Sequence, residues 1–272
     1  MSLYDLPLEL TARVLYHLTQ QESAVDRGES KPHIGQYAST SFSIQCAVEQ
    51  HLFSRLSLTS DDTSAFEKLV AQSPRRQALL RTISFTPILP AYDEVACSRF
   101  ERQADQEENN EALTAVMRRL YAALRGCSKL SSVTVNIPYS PTDNCEDRRA
   151  RYANDRLAYM LGQKVDIRER RYVQSLLELQ MPLDSPPLAA VRTFTLSGDG
   201  PRYITPCSAL TLLKRHPRVE VLTLNLDDNE RRRPELRAQL RTDFARDLLL
   251  TSCPALRRLD LSYRYEDPSD QR

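Results

Sequence analysis

Cys253-Pro254-Ala255-Leu256-Arg257-Arg258-Leu259-Asp260-Leu261 reads as a helix stop followed at once by a short strand of the form L-x-x-L-x-L. Proline cannot continue a helix because it has no N–H to donate and its ring clashes with the preceding turn. Leu259 and Leu261, two apart, share one face of an extended chain. The same phrase recurs at Leu130, Val133 and Val135, at Val191, Phe194 and Leu196, and at Val219, Leu222 and Leu224. Looser copies stand at Leu80, Ile83 and Phe85 and at Phe53, Leu56 and Leu58. Strands that alternate with helical stretches predict an α/β fold with parallel strands joined by right-handed crossovers.

Two such architectures differ in how many sheet faces are covered. A doubly wound sheet is buried on both faces, so its strands are near-continuous apolar runs. Here the column between the last two apolar positions is Ser57, Ser84, Thr134, Thr195, Thr223 and Asp260. The column just after the phrase is Thr59, Thr86, Asn136, Ser197, Asn225 and Ser262. Each of these groups, buried without a partner, would cost about 1–3 kcal/mol. One face is therefore expected to be open. The phrase and its alternation resemble irregular leucine-rich repeats over most of 53–261, which implies a solenoid with a one-face-open parallel sheet. Phrase starts are unevenly spaced, so the longer intervals must hold additional helices or loops.

The intervening stretches carry helix signals. Ser64-Ala65-Phe66-Glu67 has the form of a capping box. Residues 91–110 are polar and acidic and read as an exposed excursion, with Asn110 capping a helix whose buried stripe is Leu113, Val116, Met117, Leu120, Tyr121 and Leu124, closed by Gly126. Arg148–Leu161 reads as helical, and Val173, Leu176 and Leu177 mark a helix ending at Pro182. Thr205-Pro206 is a cap followed by proline at the first helical position, and that helix ends at His216-Pro217. A last helix starts near Pro234 and runs to Cys253. Beyond it Leu256, Leu259 and Leu261 are expected to face the core.

The chain opens with Leu6-Pro7-Leu8-Glu9-Leu10, and Val14, Leu15 and Leu18 continue at helical spacing. Tyr37-Ala38-Ser39-Thr40-Ser41 follows, then Ile44, Val48-Glu49 and Phe53. This segment resembles an F-box of the kind common in filamentous fungi. The family's second block usually has Val, Arg and Trp where Thr40, Phe42 and Ile44 stand here. The resemblance implies an F-box-like helical domain over 1–53 ahead of a leucine-rich-repeat-like α/β domain over 54–272. It also implies that Leu6, Pro7, Leu8, Val14, Leu15, Ile44 and Val48 form an adaptor-binding unit for a Skp-type adaptor within a cullin complex.

Composition narrows the alternatives. Net charge is +1, which gives no support for a nucleic-acid partner. No apolar run is long enough for a membrane helix, and the N-terminus lacks the basic start and apolar core of a signal peptide. The six cysteines form no C-x-x-C pair, so free thiols in a reducing compartment, cytoplasmic or nuclear, are expected. His17, His33, His51 and His216 are scattered, and His216 at a helix end suits a cation against the dipole. Arg231-Arg232-Arg233 reads as a solvated loop, and the only Gly cluster, Ser197 to Pro201, as a strand-end turn. No motif for a nucleophile, a metal or a phosphate loop is present. The expectation is a protein that is not an enzyme and has no cofactor or metal. It would be a substrate-recruiting subunit of an SCF-type ubiquitin ligase, holding a protein substrate through Thr195, Ser197, Thr223, Asn225, Arg258 and Asp260. The alternative is an interaction scaffold with a degenerate F-box, motivated by Ile44 in place of tryptophan.

Overall fold

A computed structural model describes residues 42–91, 101–137, 176–180, 186–198, 202–227, 234–251 and 253–263. Leu6, Pro7, Leu8, Val14, Leu15 and the Tyr37 block lie outside the described residues, as do the Arg148–Leu161 stretch and the triple arginine. All six phrases become strands: β1 (Arg55–Thr59), β2 (Thr82–Thr86), β3 (Ser132–Asn136), β4 (Thr193–Ser197), β5 (Val221–Leu226) and β6 (Arg258–Tyr263). They form one open sheet in sequential order, every neighbouring pair parallel. The helices are α1 (Phe42–Ser54), α2 (Thr63–Phe66), α3 (Pro74–Gln77), α4 (Gln103–Leu124), α5 (Pro206–Leu213) and α6 (Pro234–Leu250). A π-helical turn over Glu67–Ala71 continues α2. Among the described residues no helix is long and apolar enough to cross a membrane.

The repeated phrase works through one repeated turn. The N–H of Leu130 donates to the carbonyl of Cys127, Val191 to Leu188, Val219 to His216 and Leu256 to Cys253, at 3.0–3.2 Å. Two consecutive N–H groups then converge on one carbonyl of the preceding strand's entry. Ser131 and Ser132 donate to Arg81, Arg192 and Thr193 to Ser131, Glu220 and Val221 to Arg192, and Arg257 and Arg258 to Glu220. This recurring link sets the register, so Ile83, Val133, Phe194, Leu222 and Leu259 share one row. The first four are fully buried, as are Phe85, Val135, Leu196 and Leu224 in the next row. Each such side chain contributes about 1.5–3 kcal/mol by leaving water. Alternate positions of β2 to β5 stay partly exposed on the other face.

Leu259 and Leu261 depart from this pattern. They occupy the core rows but remain 41% and 39% exposed, and Leu256 is only partly buried against the core. The cause is position. Among the described residues nothing lies beyond β6, so its apolar side has a neighbour on one flank only.

Three local expectations are also corrected. Ser64 and Glu67 do not form a capping box: Asp62 occupies the cap position of α2 without a side-chain bond. Instead Arg119 of α4 donates to Ser64 Oγ at 2.9 Å and to both Glu67 oxygens at 2.7 Å. Residues 103–110 are not an excursion; α4 starts at Gln103, and Asp105 Oδ2 accepts from the Arg102 N–H at 3.0 Å at its first turn. Asn110 lies inside the helix, buried, and its Oδ1 accepts from the N–H of Glu178 at 2.8 Å. Residues 176–180 are not helical. Leu177 forms a parallel bridge with Ile204, and the N–H groups of Leu179 and Gln180 donate to Ser208 Oγ and Thr114 Oγ1. Gly126 follows the end of α4, where a Cβ would collide with the Gln77 carboxamide.

The Thr205 cap forms as expected. Its Oγ1 accepts from the N–H of Ser208 at 3.2 Å, and its hydroxyl donates to Ser208 Oγ at 2.7 Å. Thr205→Ala should lower stability by about 1 kcal/mol, seen as a lower urea midpoint with unchanged slope. An unchanged midpoint would mean the cap is dispensable.

Candidate protein-interaction face

The expected face residues all fall on the open side of the sheet. Register places Thr195 beside Thr223 and Thr223 beside Asp260, while Val221 neighbours Arg258 and Asn225 neighbours Ser262. Extended to the other edge, the middle row is Ser57, Ser84, Thr134, Thr195, Thr223 and Asp260. The face positions of β2 to β5 carry no charge. Charge enters only at the edge strands, as Arg55 on β1 and Arg258 with Asp260 on β6. Small β-branched hydroxyl residues suit this geometry, because the branched Cβ packs along the pleat and the oxygen stays in reach of water.

Parts of the face are internally bonded. Asn136 Nδ2 donates to Ser84 Oγ at 2.9 Å, and Asn225 Nδ2 donates to the Gly198 carbonyl at 3.1 Å. The Thr59 N–H and hydroxyl both donate to Asp62 Oδ2, which holds that carboxyl below its usual range. Arg258 Nε lies 2.9 Å from Asp260 Oδ2. The fixed amides of Asn136 and Asn225 point lone pairs and protons in set directions, whereas the threonine hydroxyls can rotate to suit a partner.

A row of cations along the entry edge of the sheet was not foreseen. Arg81, Lys129, Arg192, Arg218 and Arg257 each stand just before a strand. Arg125, Lys129, Arg192 and Arg218 line one shallow concavity there. Among the described residues, only Arg192 of this group has an acidic neighbour, Glu220 at 3.7 Å. The signal was present as a basic residue immediately ahead of successive strands. It fell outside the alternating columns, and the neutral total masked it.

Of the expected adaptor-binding residues, Ile44 and Val48 are described. Both are buried, with Ala47, in a small apolar cluster of α1. On the same helix Glu49 is buried and held by two arginines, Arg75 at 3.1 Å and Arg76 at 3.0 Å. Their guanidinium groups also stack over Phe42 and Phe53, 5.1 and 5.0 Å from the ring centres. This clamp fastens α1 to α3, and α1 runs directly into β1.

The other buried polar groups are structural. Tyr121 Oη and His216 Nε2 lie 2.9 Å apart in the core, with the His216 ring 4.6 Å from Phe194. Burial pushes the His216 imidazole down to about 3, so it is neutral and not the helix-end cation expected. The Cys127 thiol is pushed up to about 11 by burial, which leaves it unreactive as a thiol, not a thiolate. Among the described residues no three of His, Cys, Asp and Glu are placed to share a metal ion. No family model matches the chain, and neither a curated protein nor a solved structure matches it.

Proposed function

We propose that this chain recruits a protein substrate to an SCF-type ubiquitin ligase. In this reading the N-terminal helices form an F-box that docks a Skp-type adaptor, and the open face of a leucine-rich-repeat-like solenoid holds the substrate. The observation that carries it is the broad, hydroxyl-lined face of a parallel sheet, uncharged over β2 to β5. Small side chains let a partner's backbone approach closely, and rotatable hydroxyls can pair with its polar groups. The cations of the entry edge would steer an acidic partner towards that face. The Glu49 clamp suits a recruiter, because it fixes α1 relative to the sheet. Such a protein does no chemistry itself; it raises the effective concentration of substrate beside the ligase.

Affinity purification of the tagged chain tests both halves. Wild type is expected to capture a Skp-type adaptor together with a substrate. Leu8→Asp should lose the adaptor and keep the substrate. Thr223→Arg, which places a long cation mid-face, should keep the adaptor and lose the substrate. A chain that binds a partner but never an adaptor at micromolar concentration would instead be an interaction scaffold.

A further inference from the structure

Among the described residues nothing covers the outer edge of β6, and the chemistry of that edge points to one occupant. Arg258 donates its N–H to the carbonyl of Glu220, just ahead of β5, so the alternating backbone groups at 258, 260 and 262 are directed at β5. Leu259 and Leu261 consequently turn their N–H and C=O groups to the free edge. Their side chains, about two-fifths exposed, extend an apolar groove lined by Leu248, Leu249, Cys253, Pro254, Leu256 and Leu259. Leu249, in the last turn of α6, is 85% exposed. Sheet edges of this kind are ordinarily blunted by inward-pointing charges, proline or a covering element. Here the inward positions are leucines.

We propose that β6 pairs with β6 of a second copy of this chain, antiparallel, about a two-fold axis perpendicular to the sheet and midway between the two Leu259 residues. Three observations select this arrangement. First, centring on Leu259 makes the two Leu259 residues exchange both free backbone hydrogen bonds, which the orientation of those groups allows. Second, it sets Arg258 opposite Asp260 of the other copy, twice, in the closely spaced non-hydrogen-bonded pairs. The ion pair now closed within one strand at 2.9 Å would become two pairs between copies. Centring on Asp260 would instead face one carboxylate with the other. Third, the head-to-tail alternative is disfavoured by charge. Continuing the parallel sheet from β6 into β1 of another copy would extend the row that begins at Arg55 and ends at Arg258, placing like charges side by side. That alternative repeats without closing, whereas the two-fold pairing closes. The axis keeps the helices of both copies on one side, so Leu249 and the groove face their equivalents across it.

Sedimentation velocity on the full chain, over a concentration series reaching about 100 μM, tests the pairing. Wild type is expected to show a monomer–dimer equilibrium. Arg258→Asp and Asp260→Arg should each raise the dissociation constant about tenfold or more. The double charge exchange Arg258→Asp with Asp260→Arg should restore it, because the opposed pairs are re-formed with signs reversed. Leu259→Lys should leave only monomer. Circular dichroism of each variant is expected to match wild type, since the substituted positions are exposed. A wild type that is monomeric throughout overturns the proposal. So does growth into open-ended oligomers, or a double exchange no better than the single reversals.

Discussion

Replacing Arg202 with methionine is expected to cost the fold about 3–5 kcal/mol, the largest effect of any single surface-distant substitution considered for this chain. Arg202 and Glu101 form an ion pair at 2.7 Å with side chains 0% and 1% exposed. The Glu101 oxygen that accepts from Arg202 also accepts from Asn109 Nδ2 at 2.8 Å, and the same Nδ2 donates to the Asp105 carbonyl. The cluster thus joins the entry to α4 to the segment leading into α5, across a long separation in sequence. Removing the cation strips a buried carboxylate of its partner at 2.7 Å in a site closed to water, and that loss of compensation is the source of the cost. Replacing both partners, Glu101→Leu with Arg202→Met, removes the charge as well as its counterion. It should recover most of the loss, because the desolvation of two ions offsets much of their attraction. Urea unfolding of the two variants separates these outcomes. If Arg202→Met costs less than about 1 kcal/mol, in the range of an exposed pair, the cluster does not brace the fold.

Stability should also fall as pH is lowered from 6.5, and His216 is the reason. Its folded pKa is depressed to about 3 by burial. Below an unfolded value of about 6.5 the unfolded chain binds a proton that the native imidazole refuses, so acid favours unfolding. The contribution is complete above that value and is lost at about 1.4 kcal/mol per pH unit as pH drops towards 3. By pH 5 it amounts to about 2 kcal/mol. The imidazole is hemmed by Tyr121 and Phe194, and burial is the cause of its lowered pKa. A protonated His216 would gain no anion there. The check is urea unfolding at pH 7.5, 6 and 5 for wild type and for His216→Phe with Tyr121→Phe, which leaves no hydroxyl orphaned. The wild-type slope should flatten in the double variant over this window, whatever the change in overall stability. An equal slope in both would place the titrating group elsewhere.

The six strands were legible because each rests on a local pattern: a turn that stops a helix, then two apolar residues two apart. The polar columns were legible for the same reason, so Thr195, Thr223 and Asp260 stand side by side as expected. What escaped the sequence depends on distant neighbours. Asn109 reads as part of an exposed excursion and Asn110 as a helix cap, but Asn110 serves the backbone of Glu178 and Asn109 serves Glu101. Ser64 and Glu67 have the spacing of a helix cap, yet a single arginine on α4 claims both. His216 has the position of a helix-end cation, but the core closes over it. Leu259 and Leu261 have the pattern of core residues, and only the missing flank leaves them exposed. In each case local chemistry offered two outcomes and a tertiary contact chose between them.

The crossovers between strands differ widely in length, from 60–81 for the shortest to 137–192 for the longest, while the register across the sheet never slips. Each strand entry is fixed by bonds to the strand before it, not by the path taken to reach it. Closing a loop less than three times longer costs only about 1 kcal/mol more, since the penalty grows with the logarithm of length. The sheet can therefore absorb inserted sequence on its connecting side without any change to the surface it displays. A fold with that property lets one side diversify while the opposite side stays constant in shape.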